Sequence, residues 1–367
     1  MQKSGYLSYY LFGVVCFLLF FGFLVSASIS AELSAQWFGK PTYYFFHQLS
    51  AVFIACIAGF IFSKLPLNFL RRWSWIFILL NLILMILVFI PLFGKSVGGA
   101  YRWLNFKIFT LQPSELLKLT FILYLSALLP SKVSKKGDKK EWASIFFPFL
   151  AILISLILLL YFQSDLSTLA VIAIVGIIIY FVFGTPFFHT LFMLLLSVVS
   201  FLFFIAFSPY RLKRVLIFLG AIRDPLGFGY QTDKARIAIG SGGIFGSGLE
   251  GAPQSMLIPH PLSDSIFAVI SEQTGFIGAL IVILAYLFLF FVCLKIAFNT
   301  SDKFSQLFAI GFASWICIQA FVNISAMVGL VPLTGIPLPF LSYGGSHILA
   351  ELIGVGILFN ILKNTKK

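Results

Sequence analysis

Three carboxylates and a lysine are the residues of this chain whose types and spacing best suit chemistry. Glu115 and Lys118 stand inside an otherwise apolar run, and their spacing puts both on one face of a helix. Ionisable groups in such runs are costly and point to function. A pair of opposite sign also serves as a structural salt bridge, so both roles stay open. Gln112-Pro113-Ser114 precedes the pair. Proline starts a helix and serine caps one, so the charges are expected at the helix end, beside the outer solvent. Asp165, in Gln163-Ser164-Asp165-Leu166-Ser167-Thr168, reads as a helix N-cap, which does not preclude a second role. Asp264 closes a long loop just before the apolar run Ile266 to Ile270, with Glu272 further on. It too suits a cap. A carboxylate at the edge of a cleft is also placed to act as a general base, its pKa raised by burial and lowered by positive neighbours.

Two glycine-rich tracts accompany these residues. Gly240 to Gly248 lacks the Gly-Lys-Ser/Thr end of a nucleotide loop. Close approach of its backbone to a ligand or a membrane surface is expected instead. Gly335-Ile336-Pro337-Leu338-Pro339-Phe340-Leu341-Ser342-Tyr343-Gly344-Gly345-Ser346 ends at a helix start, where amides suit a phosphate; the other reading is a rigid re-entrant turn buried by protein. His47, His189 and His347 form no ligand cluster and read as packing residues, although His347 and Glu351 share a helix face and can pair. Cys16, Cys56, Cys293 and Cys317 all lie in apolar segments and read as small packing residues.

The elements that must carry these residues follow from composition. Of 367 residues, 60% are hydrophobic, 10% are charged and 46 are phenylalanine. A soluble domain is nearer half apolar and a quarter charged. This excludes a soluble globular enzyme, a disordered chain and a secreted disulfide scaffold. Long unbroken apolar runs also exclude a β-barrel. The expected fold is an all-α polytopic membrane protein. Ten spans are expected, near 8–28, 44–63, 73–93, 114–130, 143–162, 167–184, 187–208, 266–294, 304–328 and 344–362. Ser26-Ala27-Ser28 looks like a signal-peptidase site, but the apolar run before it exceeds the usual ~7–15 residues; an uncleaved first span is expected.

The formal charge of +13 reflects basic residues flanking spans rather than nucleic-acid binding. With the N-terminus inside, Lys3, Lys64, Arg71, Arg72, Lys132, Lys135, Lys136, Lys139, Lys140, Lys295, Lys303, Lys363, Lys366 and Lys367 all fall on the inner side. Short outer loops then hold only Lys40, Lys95, Arg102 and Lys107. Both termini are therefore expected to be cytoplasmic, and the glycine-rich loop 209–265 extracytoplasmic. Loops this long are usually functional or disordered. Its apolar stretches, Val215 to Leu219 and Ile237 to Ile239, predict an ordered loop laid partly on the membrane face. No separate soluble domain is expected, so the chain reads as a single transmembrane domain over 1–367.

In this order the motifs resemble those of the SEDS family of cell-wall polymerases (FtsW, RodA, SpoVE). The matching strings are Gly99-Ala100-Tyr101-Arg102-Trp103-Leu104, Gln112 to Lys118, Gln163 with Asp165-Leu166, and Tyr210-Arg211-Leu212-Lys213-Arg214. They continue with Gly229-Tyr230-Gln231, Ala238 to Gly243, Ser263 to Val269 and Pro337 to Ser346. Each is weak alone; collinear over nearly the whole chain, they are specific. The resemblance implies a peptidoglycan glycosyltransferase acting on lipid II, with undecaprenyl pyrophosphate as leaving group and no nucleotide sugar. It implies Asp264 as the catalytic base, and Glu115, Lys118 and Asp165 as a polar cluster of an outer cavity that binds substrate. Arg102, Arg211 and Arg214 are then expected to meet the pyrophosphate, with Ser346 also at the substrate. A divalent cation, Mg or Mn, would suit carboxylates facing a pyrophosphate. A single-span transpeptidase, a class B penicillin-binding protein, and divisome proteins are the implied partners.

The chain departs from the family pattern at Leu262-Ser263-Asp264-Ser265, Glu272-Gln273, Ser164-Asp165-Leu166-Ser167 and His347. The aspartates persist, so the implied activity holds while the hydrogen bonding around Asp264 changes. Tyr210-Arg211 with Arg214 and the tract Ile244 to Leu249 look like the division branch, FtsW. Gly335 to Phe340 looks like the elongation branch, RodA. The division branch is favoured. Two other classes compete: a flippase for lipid-linked precursors and a non-catalytic scaffold that recruits a transpeptidase. A flippase needs a polar route to both faces, whereas the motif acids here gather on one side. A scaffold would not need Asp264.

Overall fold

The computed structural model describes residues 3–97, 100–106, 109–132, 139–222, 224, 227–249 and 252–365. Gly99 of the first motif, Gly251 of the long loop, and Lys107, Lys135, Lys136, Lys366 and Lys367 lie outside the described residues. The chain is mostly helical, a polytopic membrane protein as expected. Its helices are α1 (Lys3–Phe38), α2 (Tyr43–Lys64), α3 (Leu67–Leu87), α4 (Pro113–Lys132), α5 (Lys139–Phe162), α6 (Leu166–Val182) and α7 (Phe187–Ala206). They continue with α8 (Pro209–Phe218), α9 (Phe228–Ser241), α10 (Ile266–Asn299), α11 (Lys303–Val328) and α12 (Gly345–Asn364). All but α8 and α9 coincide with expected spans. Among the described residues, nine helices are long and apolar enough to cross a membrane. At 17 residues, α6 is shorter than these and close to the least that spans a bilayer.

The bounds of α1 and α3 depart most from expectation. α1 runs unbroken through Ser26, Ala27 and Ser28 to Phe38, and Gln273 on α10 donates to the Ser28 hydroxyl at 2.7 Å. α3 begins six residues earlier than expected and ends at Leu87. Pro66 fixes its start, and Arg71 and Arg72 ride within its first turns because long cationic side chains reach back to water. The apolar stretch after it leads instead into a small antiparallel sheet with no counterpart in the sequence reading. Its strands are β1 (Gly94–Val97), β2 (Ala100–Asn105) and β3 (Thr110–Leu111), paired in that order. The register sets Gly94 opposite Leu104 and Leu104 opposite Leu111.

Helix composition sorts centre from rim. The apolar windows of α11 and α12 are 72% and 83% buried, against 17% for α2 and α7. α2 nevertheless meets α12 backbone to backbone. A Cβ at Gly356 would stand 2.0 Å from the Gly59 carbonyl oxygen, so small residues permit the contact.

Among its described residues the 209–265 segment carries two helices, α8 and α9. α8 has no buried residue and lies on the surface, whereas α9 packs on α10 and α11. The glycine tract at the end of α9 makes its close backbone approach to another part of the chain. It pairs with α10, which breaks at Gly275 (φ 66, ψ −165). Ser247 and Gly248 donate their amides to the carbonyls of Glu272 and Gln273, and Phe276 and Ile277 donate to Gly243 and Ile244. A Cβ at Gly246 would lie 2.2 Å from the Gln273 oxygen, so the glycines permit this long-range pairing.

Candidate active site

Asp264 sits one residue before the α10 N-cap, Ser265, in a loop clamped against the 335–346 segment. The Asn323 side-chain amide, on α11, donates to the Asp264 carbonyl at 2.7 Å and to the Ile336 carbonyl at 2.8 Å. Ser342 donates its hydroxyl to the Ser263 carbonyl and accepts the Leu338 amide at 2.7 Å, and the Tyr343 amide donates to the Leu262 carbonyl. Gly335 is left-handed (φ 67), and a Cβ there would come within 3.7 Å of Asp264 Oδ2. The carboxylate is thus held between two backbone segments while remaining partly open to solvent. Burial among protein atoms pushes its pKa above the usual carboxylate range. The Ser263 hydroxyl, donating at 2.9 Å, the His260 charge, its own amide and Gln231 pull the other way without overcoming burial. A carboxyl raised in this way suits proton abstraction near neutral pH.

The arginines converge on the same end of the bundle. Arg102, on β2, donates from Nε to the Gln163 carbonyl at 3.1 Å and from Nη2 to the Ser164 carbonyl; Ser164 itself is left-handed (φ 56). Arg211, on α8, lies 5.4 Å from the Tyr161 ring centre and donates to Phe204. Arg214, one turn on, donates to the Leu333 carbonyl at 3.2 Å and to the Tyr210 hydroxyl at 2.7 Å. Burial lowers the pKa of Arg211 and Arg214, and Arg102 lowers both further. Asp165 raises that of Arg211 and Asp264 that of Arg214. Guanidinium groups stay charged regardless. Arg102 thus acts on both α8 arginines, while Arg211 is coupled to Asp165 and Arg214 to Asp264. A cavity of about 550 Å³ between α8, α9 and residues 331–333 begins at Arg214 and continues past Asp233 and Arg236.

The remaining expected residues take different positions. Asp165 caps α6 as anticipated: it accepts from the Thr168 amide and hydroxyl and from the Ser114 hydroxyl at 3.0 Å. Glu115 and Lys118 pair at 2.7 Å, but not beside solvent. Each is 2% exposed, because α11 and α12 close over α4. Lys118 also donates to Gln319 Oε1 at 2.6 Å and lies 5.5 Å from the Trp315 ring. Gln319 in turn donates to the Pro337 carbonyl at 2.9 Å, so the pair supports the 335–346 segment from below. Ser346 is buried and accepts the Gln112 amide at 2.9 Å, tying α12 to the start of α4. His347 Nδ1 meets Glu351 at 3.1 Å, as its spacing predicted, and Glu351 accepts the Phe340 amide at 2.7 Å. Among the described residues no group of three or more His, Cys, Asp or Glu side chains is arranged to hold a metal ion. The Asp165 oxygens already accept three hydrogen bonds, from the Thr168 amide and hydroxyl and the Ser114 hydroxyl. As arranged, the described side chains do not build a divalent-cation cage.

A family model described as "Cell cycle protein" (FTSW_RODA_SPOVE) matches residues 9–367. The chain belongs to the FtsW/RodA/SpoVE family. It is 35% identical to the "Probable peptidoglycan glycosyltransferase FtsW" of Trichlorobacter lovleyi, over 94% of this chain and 90% of that one. It is 34% identical to the stage V sporulation protein E of Bacillus subtilis, over 96% of each. A chain from the structure "Structural coordination of polymerization and crosslinking by a peptidoglycan synthase complex" superposes with a TM-score of 0.79 at 26% identity, covering 97% of this chain and 98% of that one. The rod shape determining protein RodA of Thermus thermophilus shares the fold, with a TM-score of 0.69 at 22% identity over 97% of each chain.

Within this FtsW/RodA/SpoVE chain, sequence reasoning passed over two amides, Gln319 and Asn323. They stand four residues apart in an apolar span, hence on one face. Buried polar side chains in a span demand partners, and that signal was available. Their partners, the carbonyls of Pro337, Ile336 and Asp264, could not be read from spacing.

Proposed function

We propose that this chain is a peptidoglycan glycosyltransferase that polymerises lipid II at the outer face of the cytoplasmic membrane, in septal wall synthesis. The observation that carries the reading is Asp264, raised by burial, held through its backbone carbonyl by Asn323, and near enough to Arg214 for its charge to act on that guanidinium. Asp264 takes the proton of the acceptor's 4-hydroxyl as that oxygen bonds to the donor's anomeric carbon. The bond from that carbon to the pyrophosphate oxygen breaks, and undecaprenyl pyrophosphate leaves with the electron pair. Arginines near the leaving oxygens stabilise the charge that develops there. Asp165, Glu115, Lys118 and Ser346 act at one remove, by fixing α6, α4 and the 335–346 segment around the substrate.

The names of the relatives support the activity and favour the division branch. The synthase-complex neighbour supports a transpeptidase partner, taken here as a single-span class B penicillin-binding protein within the divisome. The lysine and arginine pattern supports cytoplasmic termini, with the whole chain acting as one transmembrane domain. The test is glycan formation from fluorescent lipid II by the purified chain with its partner, alongside Asp264→Ala and a lipid-flipping assay in vesicles. Polymer from wild type only, with both proteins folded, is the expected result. Flipping without polymer, or equal polymer from both, would overturn the reading.

A further inference from the structure

At the end of the bundle opposite Asp264, four helix ends enclose a second cavity of about 400 Å³. The C-termini of α2 and α12 and the N-termini of α3 and α11 meet there. Its charged lining is Lys64, Arg71, Lys363 and Asp302, three cations against one carboxylate. Asp302 cannot neutralise them. One of its oxygens caps α11 through the Ser305 amide and hydroxyl, and the other stands 3.9 Å from Arg71. Lys64 and Lys363 lie in the last turns of their helices, where cations also offset the helix dipole. That accounts for two of the charges but not for Arg71, which stands near the start of α3. No side chain caps α3, so its first amides offer donors to an anion.

The cavity also has the surroundings of a membrane interface. Phe60, Phe69, Trp73 and Trp75 are all exposed on α2 and α3, within about one helical turn of its lining residues Lys64 and Arg71, and Lys64 lies 5.1 Å from the Phe60 ring. Aromatic side chains gather at head-group depth, and basic pockets between spanning helices hold acidic lipid head groups. The apolar wall given by Leu65, Leu67 and Phe304 suits the glycerol end of a lipid rather than a free anion.

We propose that this cavity binds the phosphodiester head group of an anionic phospholipid, in the leaflet opposite the Asp264 site. The test is native mass spectrometry of the whole protein titrated with phosphatidylglycerol, with phosphatidylcholine and inorganic phosphate as separate arms. Each cation removed weakens the tightest site roughly fivefold, so Lys64→Gln with Lys363→Gln loses roughly 25-fold in affinity. Asp302→Asn keeps the α11 cap, since asparagine caps as well as aspartate, and it tightens phosphatidylglycerol binding by a similar single factor. This variant decides the matter even if the double lysine variant fails to fold. Lys40→Gln, on the opposite face, keeps wild-type affinity. Unchanged affinity in Asp302→Asn or in a folded lysine variant would overturn the proposal. So would equal retention of phosphatidylcholine, or displacement of the lipid by millimolar phosphate.

Discussion

Two ionisable sites lie on the same side of this bundle and teach opposite lessons. Glu115 and Lys118 are sealed at 2% exposure, with every charge met by a partner. Asp264 is only partly covered, and burial raises its pKa against its hydrogen bonds. A buried pair whose partners are satisfied holds a structure together; a carboxyl left in tension between protonation states is poised to exchange a proton. Both touch the 335–346 segment, one through Gln319 and Pro337, the other through Asn323 and Ile336. The sealed pair is therefore read as the support and the open carboxyl as the reactive group.

Several substitutions would break or sharpen that contrast. Asp264→Asn keeps the shape and removes the base. Polymerisation is expected to fall roughly 10²–10⁴-fold in a lipid II assay, with unchanged thermal stability. Lys118→Met has the reverse signature. It leaves Glu115 buried and uncompensated, at a cost of roughly 3–5 kcal/mol, seen as a lower unfolding temperature. Adding Glu115→Gln is expected to recover much of that loss, and no recovery would remove the structural reading of the pair. Asn323→Ala strips a donor from two carbonyls, worth about 1–3 kcal/mol if both stay dry. Because it frees the Asp264 backbone without touching substrate, kcat should drop more than KM rises in steady-state kinetics. A change confined to KM would contradict its role as a positioning residue.

The contrast also marks what the chain's residues could disclose in advance. Apolar run length sufficed for the nine described helices long enough to span, and it also located the shorter α6, since a bilayer fixes how many residues a span needs. The strands of the 94–111 sheet are too short for an alternating pattern to register, and Pro66 overruled the charge of Arg71 and Arg72 in setting where α3 starts. Spacing put Glu115 and Lys118 on one face, but depth depends on what packs over that face, and α11 and α12 lie two hundred residues away in sequence. The capping role of Asp165 was local and legible. The pairing of the Gly240 to Gly248 tract with the break at Gly275 was not, because both partners are backbone.

The most direct test of Asp264 as the base is the pH dependence of lipid II polymerisation by wild type and Ser263→Ala. A base works only when deprotonated, so the rate is lost as pH falls through the Asp264 pKa. Burial places that acid limb above the ordinary carboxylate range. The Ser263 hydroxyl stabilises the charged form, so its removal should raise the pKa and move the limb to higher pH, with the plateau rate retained. A limb that stays in place in Ser263→Ala would show that another group controls proton transfer and would contradict the account.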